Sequence, residues 1–178
     1  MLTMTYSLVA MTIEQKNTRK MLLELEQKIK NNNWNDTKNC DLSHIKMILN
    51  KFIQFDKYFH SRKVEIYVIP AIRKTTEKID CLLAELESLS SQAINSIRLM
   101  YEKTQRTISK EGIKTDVLFS SMEHYCQSLL KRLIKEEEQL FPVVRCLLTS
   151  EEWFTIAVEC MSDNKNQDIH PARHVSDE

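Results

Sequence analysis

Between Met1 and Glu178 the chain has one glycine, at position 112. Tight hairpins need backbone at positive φ, which glycine adopts without a steric penalty. The three prolines do not make up the shortfall, so a fold of many strand reversals is ruled out. Leu, Lys, Glu and Ile are the commonest residues, and these favour helices or are neutral in them. The chain is therefore predicted to be all-α, and its 178 residues suffice for one domain with a sizeable core.

Apolar spacing of three and four residues predicts where the helices lie. The first runs from about Thr12 to Lys30, with Gln15, Thr18, Leu22, Leu25 and Ile29 on one face. The second starts near Leu42, with Asp41 as N-cap, and is expected to stop close to Ile69 before Pro70. Ile45, Leu49, Phe52, Phe59 and Tyr67 mark its stripe. The third spans about Thr76 to Ser109, and Gly112 lies in the turn after it. The fourth covers about Asp116 to Phe141, with Met122, Cys126, Leu129, Leu133 and Leu140 inward. Thr149 and Glu152 have capping-box spacing for a short fifth helix. Four long amphipathic helices with short connections predict an up-down-up-down bundle. Residues 1–11 read as an N-terminal extension, 12–161 as the domain and 162–178 as a polar, disordered tail.

Basic and acidic residues number 25 each, so no positive excess exists to neutralise a phosphate backbone, and nucleic acid is not an expected partner. The opening "MLTMTYSLVAM" lacks a basic start and is too short to span a bilayer. Cys40, Cys81, Cys126, Cys146 and Cys160 contain no CxxC pair, which fits neither a disulfide framework nor a zinc ribbon. A reducing cytoplasmic setting follows, with the nucleus also open. No nucleophile–base pair, phosphate loop or zincin motif marks an enzyme.

Two places break the apolar pattern. Glu136 and Glu137 flank the fourth stripe, where an unpaired buried carboxylate would cost several kcal/mol. They must face solvent, pair with a cation or bind a metal. On the second helix, Asp56 and His60 lie four residues apart beside the stripe. That pair is either a carboxylate–imidazole hydrogen bond or two metal ligands.

"HSRKVEIYVIPAI" (residues 60–72) and "RLIKEEEQLFPVVRCLLTSEEW" (residues 132–153) resemble the two histidine–acid segments of hemerythrin-like (HHE cation-binding) domains. "FIQFDKYFH" and the asparagine-rich first loop are similar to the hemerythrin-like domain of an F-box iron-sensing ubiquitin-ligase subunit. The resemblance implies a four-helix bundle holding two irons through five or more His and carboxylate ligands. Matched position by position, the first-helix histidine falls on Gln15, while His60 keeps the second-helix histidine. The acid four residues later is Val64, and Glu65 would point away on an ideal helix. The third-helix pair falls on Leu86 and Ser90, and the fourth-helix histidine becomes Arg132.

The matched site is thus expected to be dismantled. Arg132, one turn before Glu136, would either replace the metal's charge by pairing with Glu136, with Asp56 and His60 across the core, or merely cover the bundle edge. Two functions stay open at this point. One is a regulatory or protein-interaction module without a cofactor, acting on an unidentified protein partner. The other is a sensor holding one iron or zinc ion through His60, Glu136 or Glu137, with Asp56 helping.

Overall fold

The structure is a computed structural model that describes residues 2–31, 42–107 and 115–169. The described residues are almost entirely helical and contain no strand. The helices are α1 (Leu2–Asn31), α2 (Leu42–His60), α3 (Ile69–Thr75), α4 (Asp80–Thr107), α5 (Thr115–Lys135), α6 (Phe141–Leu147) and α7 (Ser150–Ile169). Among the described residues, no helix is long and apolar enough to cross a membrane. Asp41, Gly112, His170 and His174 lie outside the described residues, as does Cys40.

Helix α1 begins at Leu2, so residues 2–11 continue the first helix instead of forming a separate extension. The reason is packing: Met11 is buried, and Met4 and Leu8 rest on the same apolar cluster. At the other end, α7 runs past Ser162 to Ile169, longer than the short helix expected. Its start is the capping box read from the sequence: the Thr149 amide donates to Glu152 Oε2 at 2.7 Å, and the Glu152 amide donates to Thr149 Oγ1 at 3.3 Å.

Pro70 does not end the second helical segment. After a break at Ser61 and Arg62, the chain makes a five-residue π-helical turn, Val64–Val68, and enters α3 with Pro70 in its first turn. An equivalent π-helical turn, Glu136–Leu140, precedes α6 and Pro142. In both, the closing bond spans five residues, Ile69 N–H to the Val64 carbonyl and Phe141 N–H to the Glu136 carbonyl. A proline in the first turn of the helix that follows gives up an N–H that has no partner there. The amide of Lys63, beside the break, donates to Glu14 Oε2 on α1 at 2.8 Å.

Helix α4 packs along α5, α5 against α1, α1 against α7, and α2 against α4. The apolar side chains form two clusters. One gathers Leu22, Phe52, Phe59, Ala93, Met100, Met122, Leu129 and Leu133. The other gathers Met11, Val64, Ile72, Leu86, Leu140, Val144 and Trp153. Each long segment passes from one cluster to the other through a polar residue. Gln15 does so on α1, Arg62 after α2, Ser90 on α4, and Arg132 and Glu136 at the end of α5.

Candidate functional site

Those crossing residues meet in one buried polar layer. Glu136, the first residue of the second π-helical turn, is fully buried, and Arg62 and Arg132 are 1% and 3% exposed. Arg62 Nη1 donates to Glu136 Oε2 at 2.8 Å and Arg62 Nη2 to Glu136 Oε1 at 2.9 Å. Arg132 Nε donates to Glu136 Oε1 at 3.0 Å, and Gln15 Nε2 to Glu136 Oε2 at 3.0 Å. Each carboxylate oxygen therefore accepts two hydrogen bonds, the full capacity of the group.

Arg62 is equally saturated. Its Nε donates to the Phe59 carbonyl at 2.9 Å, and Nη1 and Nη2 also reach Gln15 Oε1 at 2.9 Å and Glu65 Oε1 at 3.2 Å. All five guanidinium N–H groups are used. Arg132 further donates to Ser90 Oγ and to Glu65 Oε1. The Phe59 ring lies 3.8 Å from the Arg62 guanidinium carbon, a cation–π contact in a dry setting. Gln15 is fixed by a third bond, from Nε2 to the Leu133 carbonyl at 3.0 Å. Two arginines and two glutamates make the layer electrically neutral.

Burial alone would push the Glu136 carboxyl up. Arg62, by its charge and paired hydrogen bonds, and then Arg132 and Gln15, outweigh burial and hold it below the usual carboxylate range. For Arg62, burial works against the charge, but Glu136, Glu65 and Glu14 together raise its pKa above the usual value.

The expected pairing of Arg132 with Glu136 is present, but its partners differ from those expected. Asp56 and His60 do not join the layer by any hydrogen bond or ion pair among the described residues. Asp56 Oδ1 accepts from Tyr125 Oη at 3.2 Å, and His60 Nε2 stands 3.8 Å from it without a hydrogen bond. Burial pushes the Asp56 carboxyl up, against the opposing effects of His60 and Tyr125. Glu137 turns outward to an ion pair with Arg19 at 2.7 Å on the half-exposed surface.

Arg62 and Glu65 are the members that sequence reasoning missed. A regular α-helix turns about 100° per residue, which puts Glu65 on the wrong face. The break and the wider π-helical turn rotate it inward. One signal was available: Arg62 stands three residues after Phe59, on the apolar stripe of the second helix, and three before Glu65.

A cleft of about 340 Å³, walled by Ile69, Leu83 and Leu86, leads from the surface to Arg132, Glu65 and Ser90. The residues do not fit a dinuclear iron centre. Glu136 has no lone pair to offer a metal ion, and two guanidiniums already neutralise it. Among the described residues, no three His, Cys, Asp or Glu side chains converge as a metal site would require. Burial, with Glu26 beside it, pushes the Cys126 thiol up to about 12, which disfavours the thiolate. Comparison with protein-family models, curated proteins and solved structures finds no match to this chain.

Proposed function

We propose that this chain is a hemerythrin-like four-helix bundle in which an arginine–glutamate layer stands where the family holds iron. It acts as a regulatory or protein-interaction module and catalyses no reaction. The observation that carries the reading is the saturation of Glu136 by Arg62, Arg132 and Gln15. Gln15, Ser90 and Arg132, which the resemblance matches to family ligand positions on three different helices, gather around that carboxylate or its arginine. The packing chain from α2 through α4 and α5 to α1 agrees with an up-down-up-down bundle. Cys81, Cys126 and Cys146 are free thiols, in keeping with a reducing cytoplasmic or nuclear setting.

The test is metal content after purification without chelators or a metal-affinity tag, joined to a thermal melt with and without Fe(II). Iron and zinc are expected well below one per chain, with no rise in midpoint. A stoichiometric ion and a raised midpoint would replace this reading with the sensor holding one iron or zinc through His60, Glu136 or Glu137. Arg132→His, which returns an imidazole to the matched position, is expected to gain metal affinity. An unchanged metal content would count against the positional match.

A further inference from the structure

Helices α1 and α2 come close to each other along little of their length, since α1 rests on α5 and α7 and α2 on α4. Three hollows of about 420, 250 and 210 Å³ follow one another along the seam they leave. The first and second share Tyr58, and the second and third share Leu25, Lys28 and Lys51. Together they make one groove from Tyr6 to Asn31. On α1 its wall follows rows of three- and four-residue spacing through Tyr6, Ala10, Ile13, Asn17, Met21 and Lys28. That wall spans about 33 Å, the length of a six-turn helix.

The groove exposes several large apolar side chains in succession: Val9 at 52%, Ile13 at 55%, Met21 at 41% and Met47 at 47%. Methionines of this kind accommodate varied apolar partners. Lysines outnumber glutamates along it, with Lys28, Lys51 and Lys63 against Glu14 and Glu24. Glu14 is tied to Lys63, and Glu24 lies 4.0 Å from Lys20. Lys28 and Lys51, which flank two of the hollows, have no carboxylate within ion-pair distance among the described residues. An apolar floor between unpaired lysines complements a helix with an apolar stripe bordered by Asp or Glu.

We propose that the α1–α2 groove docks an acidic amphipathic helix of a partner protein. This rests on the interaction-module reading and adds the place and the chemistry of the partner. The probe is a labelled synthetic helix of about 22 residues, long enough to fill the groove. It carries Leu and Met on one stripe and Glu beside it, and is compared with the same peptide bearing Lys for Glu. Binding is read by fluorescence anisotropy and by methyl NMR of Met21 and Met47.

The acidic peptide is expected to bind, to shift both methyls, and to weaken at least about tenfold with Lys28→Glu/Lys51→Glu or with high salt. Failure to bind, equal binding of the lysine peptide, or affinity unmoved by the double variant overturns the proposal. Methyl shifts confined to Val158 and Met161, exposed on α7, also overturn it while leaving an interaction module standing. Self-association that moves the same methyls without peptide would assign the groove to a second copy of this chain. Binding only to phosphatidylserine vesicles would assign it to a membrane surface. Either result overturns the proposal, whereas stoichiometric metal in the unliganded protein would instead remove the reading beneath it.

Discussion

Arg62 and Glu136 meet as a parallel, two-bond pair, Nη1 to Oε2 at 2.8 Å and Nη2 to Oε1 at 2.9 Å, across 74 positions of sequence and with both side chains out of contact with water. Neither group has unused hydrogen-bonding capacity, because Phe59, Gln15, Glu65 and Arg132 take the remainder. The pair therefore closes a polar layer inside an apolar interior, and its energetics are those of mutual dependence.

Removing one member leaves its partner charged and stranded. Arg62→Ala is expected to lower stability by about 3–5 kcal/mol, and Arg132→Ala by a smaller but still substantial amount. The order follows from Arg62 supplying both bonds of the paired contact and Arg132 only one bond to Glu136. Urea unfolding of the two variants checks it, and equal stability of Arg62→Ala and the parent would refute the layer's role.

Replacing the set together reverses the outcome. A variant with Arg62→Met, Arg132→Met, Glu65→Leu and Glu136→Leu removes two positive and two negative charges at once. It is expected to be within about 1–2 kcal/mol of the parent, or more stable, because desolvating four ions offsets most of their attraction. A loss equal to the sum of the single losses, measured by the same denaturant titration, would mean that the charges stabilise the fold outright.

The neighbouring glutamates separate burial from exposure. Glu137→Gln breaks a half-exposed pair with Arg19 and is expected to cost under about 1 kcal/mol. Glu136→Gln, fully buried between two arginines, is expected to cost several times more. Similar thermal midpoints for the two variants would contradict the assignment of Glu136 as the centre.

Acid should unfold the protein through Glu136. Its folded-state pKa is depressed, so its stabilisation is present above its unfolded pKa, about 4.3, and is lost as pH falls through the folded value. The stability of Glu136→Gln is accordingly expected to fall less than the parent's between about pH 5 and pH 2.

Asp56 has the opposite sign. Its raised folded-state pKa means stability present below its unfolded value, about 3.9, and lost as pH rises through the folded one. Asp56→Asn, whose carbonyl still accepts from Tyr125, is expected to raise the thermal midpoint at pH 7 and to lose that advantage below about pH 4. A lower midpoint at pH 7 would show that His60 and Tyr125 stabilise the carboxylate more than burial opposes it.

Local information in the chain settled the helical class and most of the inward faces. Gln15, Thr18, Leu22, Leu25 and Ile29 are buried as their spacing predicts, and so are Met122, Cys126, Leu129, Leu133 and Leu140. Helical periodicity is a property of neighbours within two turns, so a linear reading captures it. The Arg132–Glu136 contact was legible for the same reason, being one turn long. What crosses helices was not. Arg62 finds Glu136 only because a break and a π-helical turn redirect the chain after His60, and the same turn brings Glu65 inward from a face that an ideal helix would leave outside. Tertiary packing alone decided which carboxylate is buried and which faces water, since desolvation is a cost set by every neighbour in space and by none in particular along the sequence.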